Sequence, residues 1–196
     1  IPANSQKIQE RLAKKALSTM QYRGLDSQNI KTKGKVTFAH CLHAMVGFVP
    51  QPLVGKGLFT ANCEIYNWKE LEKKYGISAK NDADLLFQLL ERNTPIKNIL
   101  EEIDGVYAFA YAKGGTITLA RDILGIKPLW YSLEGGFSFA SEKKALAAIG
   151  IKDIFELNPR KVLSYSEKTN KAAFTDRPFF TITPEIDAGK EKIEEK

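Results

Sequence analysis

Apolar residues recur along this chain at two spacings, and the change from one to the other divides it into segments. Ile8, Leu12, Ala16, Leu17 and Met20 fall three and four apart, which places one apolar face on a helix over residues 5–20. The helix stops at Tyr22-Arg23-Gly24-Leu25-Asp26-Ser27, where glycine followed by Asp and Ser is loop chemistry. Residues 35–45, rich in Val, Phe and other apolar side chains and ending near Gly47 and Pro50, predict a strand. Pro50-Gln51-Pro52 imposes an extended or turning link, and a second strand runs from Leu58 toward Asn62. Three short helices follow, over 68–75, 82–92 and 95–102. The first ends at Gly76, the second buries Leu85, Leu86, Leu89 and Leu90, and the third carries Pro95 in its first turn, where a missing N–H costs nothing.

From Gly105 the period changes. Segments 106–111, 116–120, 129–133 and 137–140, parted by Gly-Gly or Gly-Ile-Lys-Pro, predict four strands in an antiparallel meander. A helix over 142–149 and a hairpin of 162–166 with 172–176 complete the ordered pattern. From Pro184 apolar residues thin out toward Lys-Glu-Lys-Ile-Glu-Glu-Lys, the composition of a tail, a linker or a frayed helix. The expected organisation is one α+β domain over 1–180, with packed sheets and helices on their outer faces, followed by a tail or interdomain linker over 181–196.

Composition narrows the function classes. The 196 residues are 43% hydrophobic and 27% charged, ordinary values for a globular domain. A net charge of +6 would suit an anionic partner, but the 29 basic residues are scattered, as in Lys14-Lys15, Lys73-Lys74 and Lys143-Lys144, so no nucleic-acid face is expected. Cys41 and Cys63 are too few for a disulfide framework and belong to no Cys/His ligand cluster, which points to a reducing compartment and to no metal site. No apolar run reaches the ~18 residues of a membrane span, and no signal-like segment opens the chain, so a cytoplasmic location is expected.

The polar residues that interrupt the strands carry the chemical signal. Asn62-Cys63-Glu64-Ile65-Tyr66-Asn67 sits at a strand end, Asn81-Asp82-Ala83-Asp84 opens a helix, and Ala120-Arg121-Asp122-Ile123-Leu124-Gly125-Ile126-Lys127-Pro128-Leu129-Trp130-Tyr131 precedes Phe139-Ala140-Ser141-Glu142-Lys143-Lys144-Ala145-Leu146. Structural duties alone would account for several of them: Asn62 and Asn67 as strand-end or cap residues, Asp82 as the carboxylate a helix N-terminus favours, Cys63 as a small buried hydrophobe, the Arg121 to Pro128 charges as turn supports. Together with the Arg23-Gly24 loop, however, and in this order, these runs resemble the glutaminase domain of asparagine synthetase. Its patterns are H-R-G-P-D, N-G-E-I-Y-N, S-D-x-E, A-R-D-x-x-G-I-K-P-L-Y-Y and F-A-S-E-x-K-A-L. The resemblance covers about residues 8–165.

That family is a class II glutamine amidotransferase with an N-terminal-nucleophile fold. The resemblance therefore implies a four-layer αββα sandwich of two antiparallel sheets that hydrolyses glutamine to glutamate and ammonia. It implies that Asn62 supplies an amide donor and Cys63 a backbone N–H to the oxyanion, that Glu64 and Asp82 bind the α-amino group of glutamine, and that Arg23 and Gly24 line the pocket. The partners implied are glutamine, a synthetase domain in cis or in trans, and a second copy of the chain. The family's S-G-G-L-D-S pyrophosphate loop does not occur here, so ATP and Mg²⁺ are expected only in a synthetase domain and no cofactor in this one.

Three departures from the family pattern bear on activity. The family nucleophile is an N-terminal cysteine, whereas this sequence opens at Ile1 and has no Cys before Cys41, so the chain as it stands is expected not to hydrolyse glutamine. The family's arginine for the glutamine α-carboxylate has no counterpart in Ala39-His40-Cys41-Leu42-His43-Ala44-Met45-Val46-Gly47, where His43 is the nearest substitute and a weaker one. Cys63 stands where glycine is expected, which preserves the oxyanion N–H only if the backbone there needs no positive φ. Two readings follow: a glutaminase domain that feeds ammonia to a synthetase, or a degenerate domain that keeps the fold as a binding or regulatory module. Retained Arg23, Asn62, Glu64 and Asp82 favour the first; the missing arginine and the substituted glycine favour the second.

Overall fold

The computed structural model describes residues 3–178, so the expected tail over 181–196 lies outside the described residues. Helix α1 (Ala3–Ser18) leads through a 3-10 turn (Gln21–Arg23) into a hairpin of β1 (Ser27–Lys33) and β2 (Val36–Leu42). β3 (Leu53–Val54) and β4 (Leu58–Ile65) follow, then α2 (Trp68–Tyr75), α3 (Asp82–Glu91) and α4 (Ile96–Glu102). The second half runs through β5 (Gly105–Lys113), β6 (Thr116–Arg121), β7 (Trp130–Ser132), β8 (Ser138–Ala140), α5 (Lys143–Ala148), β9 (Phe155–Glu156), β10 (Lys161–Ser166) and β11 (Lys171–Asp176). Six strands make one antiparallel sheet in the order β11-β10-β6-β5-β4-β3, while β1-β2 and β8-β7-β9 form two smaller ladders.

Three apolar cores separate four layers. Helices α2, α3 and α4 cover one face of the large sheet, where Leu71, Leu85, Leu86, Leu89 and Ile99 pack on Phe59, Ile65 and Phe109. On the opposite face Leu58, Ala108, Ala110, Leu119 and Leu163 meet Val36 and Phe38 of β2, with Phe137 and Phe139 against them. Behind the small ladders, Ala145 and Leu146 of α5 pack with Ala16 and Met20 beside Trp130. Strand β5 divides the first two cores by strict alternation: Tyr107, Phe109 and Tyr111 face the helices and Ala108, Ala110 and Ala112 face the second layer. The small side chains leave room for the rings of Phe38 and Phe139, which meet edge-on at 5.0 Å. This is the expected αββα sandwich.

The expected four-strand meander is corrected by the pairing. β5 and β6 do pair, and so do β7 and β8, but β6 takes β10 as its other neighbour through Leu163↔Leu119, and β7 belongs to the other layer. Residues 122–128 carry the chain from one sheet to the other. β1 was not foreseen as a strand because its one large apolar residue, Ile30, gives no alternation. It pairs fully with β2, from Ser27↔Leu42 to Lys33↔Val36. β2 ends at Leu42, short of the expected residue 45, and the two-residue strands β3 and β9 are too brief to leave a pattern.

A polar link joins the two sheets inside the second core. His40 Nδ1 of β2 lies 2.9 Å from Thr60 Oγ1 of β4, and burial pulls the imidazole down to about 4 from its ordinary 6.5. The folded protein therefore holds His40 neutral where the unfolded chain would protonate it. Its contribution is complete above pH 6.5 and is lost as pH falls toward 4, because the unfolded state binds the extra proton. Urea midpoints measured from pH 7 to pH 4.5 should fall by the equivalent of roughly 2–3 kcal/mol from this group alone, and His40→Gln should flatten that slope. Shortening Leu86, fully buried under α3, to alanine should cost about 2–5 kcal/mol at pH 7 in the same assay.

Candidate functional site

The site is built on β4, whose side chains alternate between two environments. Phe59, Ala61, Cys63 and Ile65 face the helices, and Leu58, Thr60, Asn62 and Glu64 face the gap between the sheets. That gap opens into a cleft of about 960 Å³, bounded by β2, β4, α1 and β8 and reached by Arg23, Asp82 and Lys127. Asn62 is half-buried on its floor, and no described residue hydrogen-bonds its side-chain amide.

One edge of β4 is paired throughout with β5, from Leu58↔Ala112 to Ile65↔Gly105. Its other edge has only the two residues of β3, opposite Phe59 and Leu58. Beyond them two side chains replace a neighbouring strand. The buried Gln51 carboxamide takes the Ala61 N–H at 2.7 Å and donates to the Ala61 carbonyl at 3.0 Å. Asp82 Oδ2 accepts the Ile65 N–H at 3.0 Å. Ala61, Cys63 and Ile65 share one backbone parity, so the Cys63 N–H projects from the same edge, between these two supports. Cys63 is not among the non-glycine residues with positive φ, and cysteine is accommodated in ordinary strand geometry.

The thiols do not point to a nucleophile. Cys63 packs against the helix-side core, where burial, and then the neighbouring Asp82 carboxylate, push its thiol well above the ordinary range. Burial also raises Cys41, with Arg23 offsetting part of the effect. Thiolate at neutral pH is disfavoured at both. No group of three or more His, Cys, Asp or Glu among the described residues is arranged to hold a metal ion.

The charged residues are each engaged. Asp82 opens α3, with Oδ1 accepting the Ala83 N–H at 2.9 Å, while Asn81 caps the helix through the Asp84 N–H at 2.9 Å. Arg23 donates to Glu142 at 2.8 Å. Burial pushes the Glu142 carboxyl up, but hydrogen bonds from Tyr22, Arg23 and Lys144 outweigh it and hold the group below its ordinary value. Gly24, next to Arg23, has extended backbone, and its role is close approach: a Cβ there would lie 2.5 Å from the Leu42 carbonyl carbon and 2.6 Å from Cys41 O. Glu64, half-exposed, pairs with Lys127 at 2.7 Å.

Of the sequence-predicted residues, Arg23, Asn62, Cys63, Glu64 and Asp82 all border this cleft, and Gly24 packs behind it. Sequence reasoning missed the supports. Gln51 lay inside a segment read as a proline link, and Lys127 inside a run read as a turn. Asp122 was likewise grouped with that turn: its carboxylate accepts the Ile126 N–H at 2.8 Å and the Lys127 N–H at 2.9 Å, and so sets where Lys127 points. A polar residue between two prolines beside a strand was the available signal for Gln51.

Residues 2–194 match the glutamine amidotransferase domain family. Among curated relatives, the putative asparagine synthetase [glutamine-hydrolyzing] 1 of Methanocaldococcus jannaschii is 35% identical over 144 residues, covering 65% of this chain and 26% of that protein. Asparagine synthetase [glutamine-hydrolyzing] 3 of Bacillus subtilis is 30% identical over 169 residues, covering 73% of this chain and 27% of that protein. The chain thus spans about a quarter of the length of these relatives. The structure of the B. subtilis glutamine phosphoribosylpyrophosphate amidotransferase complexed with ADP and GMP superposes with a TM-score of 0.72 at 20% identity, over 85% of this chain and 46% of that one, and shows the fold. On these grounds the chain belongs to the glutamine amidotransferase domain family and resembles the N-terminal glutaminase domain of asparagine synthetases.

Proposed function

We propose that this domain hydrolyses glutamine and supplies the ammonia to a synthetase domain, in cis or in trans, that amidates aspartate. The observation that carries the reading is the supported free edge of β4, where the Asn62 amide and the Cys63 N–H stand beside two carboxylates at the mouth of one cleft. An amide N–H and a backbone N–H held in place before reaction stabilise an oxyanion without reorganising, which is worth several kcal/mol in a water-poor site. Gln51 and Asp82 do the holding: they fix the backbone on either side of Cys63.

The α-ammonium of glutamine needs anionic acceptors. Glu64 offers a half-exposed carboxylate, and each Asp82 oxygen retains lone-pair capacity beyond the single backbone N–H it accepts. In this reading neither Cys41 nor Cys63 is the nucleophile, since burial disfavours both thiolates, and the attacking thiol is expected from an N-terminal cysteine of the kind the family uses. A module that only binds the synthetase half is the second reading, favoured by these same unreactive thiols. A second copy of the chain and a cytoplasmic setting belong to the proposal as expectations of the family; no described helix is long and apolar enough to cross a membrane.

Ammonia release from glutamine, measured on the chain extended by its encoded upstream residues, separates the readings. Under the glutaminase reading the extended chain releases ammonia and Asn62→Ala lowers the rate by about 10²-fold or more. An unchanged rate in Asn62→Ala would remove the oxyanion role, and no release together with retained binding of the synthetase half would establish the module. Gln51→Glu tests the support: a carboxylate accepts from the Ala61 N–H but cannot donate to its carbonyl. The ammonia-release rate should fall about tenfold or more, with the urea midpoint reduced by the equivalent of about 1–3 kcal/mol.

A further inference from the structure

An amino-acid substrate carries two opposite charges on one carbon, and the site described so far provides only for the positive one. The cations around the cleft differ in what already holds them. Arg23 is committed to Glu142, whose carboxylate also engages Tyr22 and Lys144. His43 lies beyond the end of β2 and faces Asp26 at 3.6 Å, with most of its side chain in solvent. Lys35 sits at the far end of β2, in the turn of the β1-β2 hairpin. His40 is neutral at physiological pH. Lys127 stands apart from these: its side chain is 20% exposed, and its ammonium is 2.7 Å from Glu64, the carboxylate assigned to the substrate's amino group.

We propose that Lys127 recognises the α-carboxylate of the amino-acid substrate, a specificity role that rests on the glutamine reading of the cleft. In the free protein Glu64 and Lys127 neutralise each other. A zwitterion inserted between them exchanges that single ion pair for two, ammonium to Glu64 and carboxylate to Lys127, so neither protein charge is left without a partner. This matters because uncompensated charge in a partly buried cleft is costly, whereas a partner exchange conserves pairing. Asp122, buried at the end of β6, accepts the Lys127 N–H at 2.9 Å and the Ile126 N–H at 2.8 Å, and Pro128 follows directly, so the backbone at the base of the side chain is fixed, while a lysine stem has rotatable bonds enough to re-aim its ammonium by a small distance. A point-charge ammonium on a fixed base can serve Glu64 before binding and a carboxylate afterwards.

Calorimetric titration of the chain with glutamine and with 4-aminobutanamide, which is glutamine without its α-carboxylate, tests the assignment. The unaltered protein should bind glutamine about tenfold or more tightly than 4-aminobutanamide. In Lys127→Gln that preference should disappear through loss of glutamine affinity, while 4-aminobutanamide binds as well as before or better, because Glu64 no longer has a competing partner. Lys127→Arg keeps the charge and should retain the preference. Glutamine binding that is undiminished in Lys127→Gln overturns the proposal. Equal weakening of both ligands also overturns it, since that is the mark of a residue that merely shapes the cleft. Failure of the unaltered protein to bind glutamine overturns the glutamine reading itself, and this proposal with it, before any variant is compared.

Discussion

A strand that runs into the interior must satisfy its backbone on both edges, and β4 has a full partner on only one. Its second edge is served by two residues of β3 and then by side chains, because an unpaired buried N–H or carbonyl costs about as much as a lost hydrogen bond. The Gln51 carboxamide, with one donor group and one acceptor at the right separation, substitutes for a single residue of a neighbouring strand. Asp82, fixed by its place at the start of α3, takes the next N–H of that parity but one. What lies between is a backbone N–H kept free by geometry. The candidate site is thus a consequence of how a sheet edge is finished: extending β3 by a few residues would complete the ladder and abolish the opening.

The same economy appears across the sheet. β5 carries aromatic rings on its helix side and alanines on the other, so the helices rest on a thick core while the second layer can approach closely and insert Phe38 and Phe139. Ala108 and Ala110 line the cleft together with Phe38 and Phe139. The polar His40–Thr60 link crosses this region as a neutral pair, which a low-dielectric gap tolerates better than a charge. The alternation of large and small residues on this one strand thus sets how closely the second layer packs, and its small side chains form part of the cleft wall.

Much of this was legible in the sequence, and for definable reasons. The helices announced themselves through three- and four-residue spacing, as with Leu85, Leu86, Leu89 and Leu90, and β5 through a short apolar run, Val106 to Tyr111, bounded by glycine signals. Asn62, Glu64 and Asp82 were singled out by the runs that resemble the glutaminase domain, since their positions at a strand end and a helix start alone would suit structural duties as well; the fold brings all three to the border of one cleft. Pairing was not legible: alternation gives a strand two faces but names no neighbour, so the chain after Arg121 was continued into the same sheet when it crosses to the other layer. β1 escaped because Ser27, Gln28, Asn29, Lys31, Thr32 and Lys33 carry no apolar signal, its stability coming from β2 on one edge and α1 beneath. Gln51 escaped because its function depends on a strand ten residues ahead.

The Arg121 to Pro128 run shows how a stretch rich in charge can be mostly scaffold and still decide chemistry. Arg121 is buried, donates to Glu156 at 2.7 Å and to the Leu157 carbonyl at 3.2 Å, and reaches Gly125 O, so it ties β6 to the segment that carries β9. Asp122 accepts from the backbone of Ile126 and Lys127 and folds the turn back on itself, with Gly125 in the left-handed conformation that the reversal requires. Neither side chain lines the cleft. Asp122 thereby fixes the peptides from which Lys127 projects, and the Lys127 ammonium reaches from this connecting segment to Glu64 on β4. An ion pair between a connecting turn and a strand edge, anchored on one side by the backbone bonds of Asp122 and on the other by the supported β4, is a contact whose geometry the fold sets before any ligand arrives. It is also exposed enough on the Glu64 side to be opened, and this combination distinguishes a recognition element from a structural salt bridge.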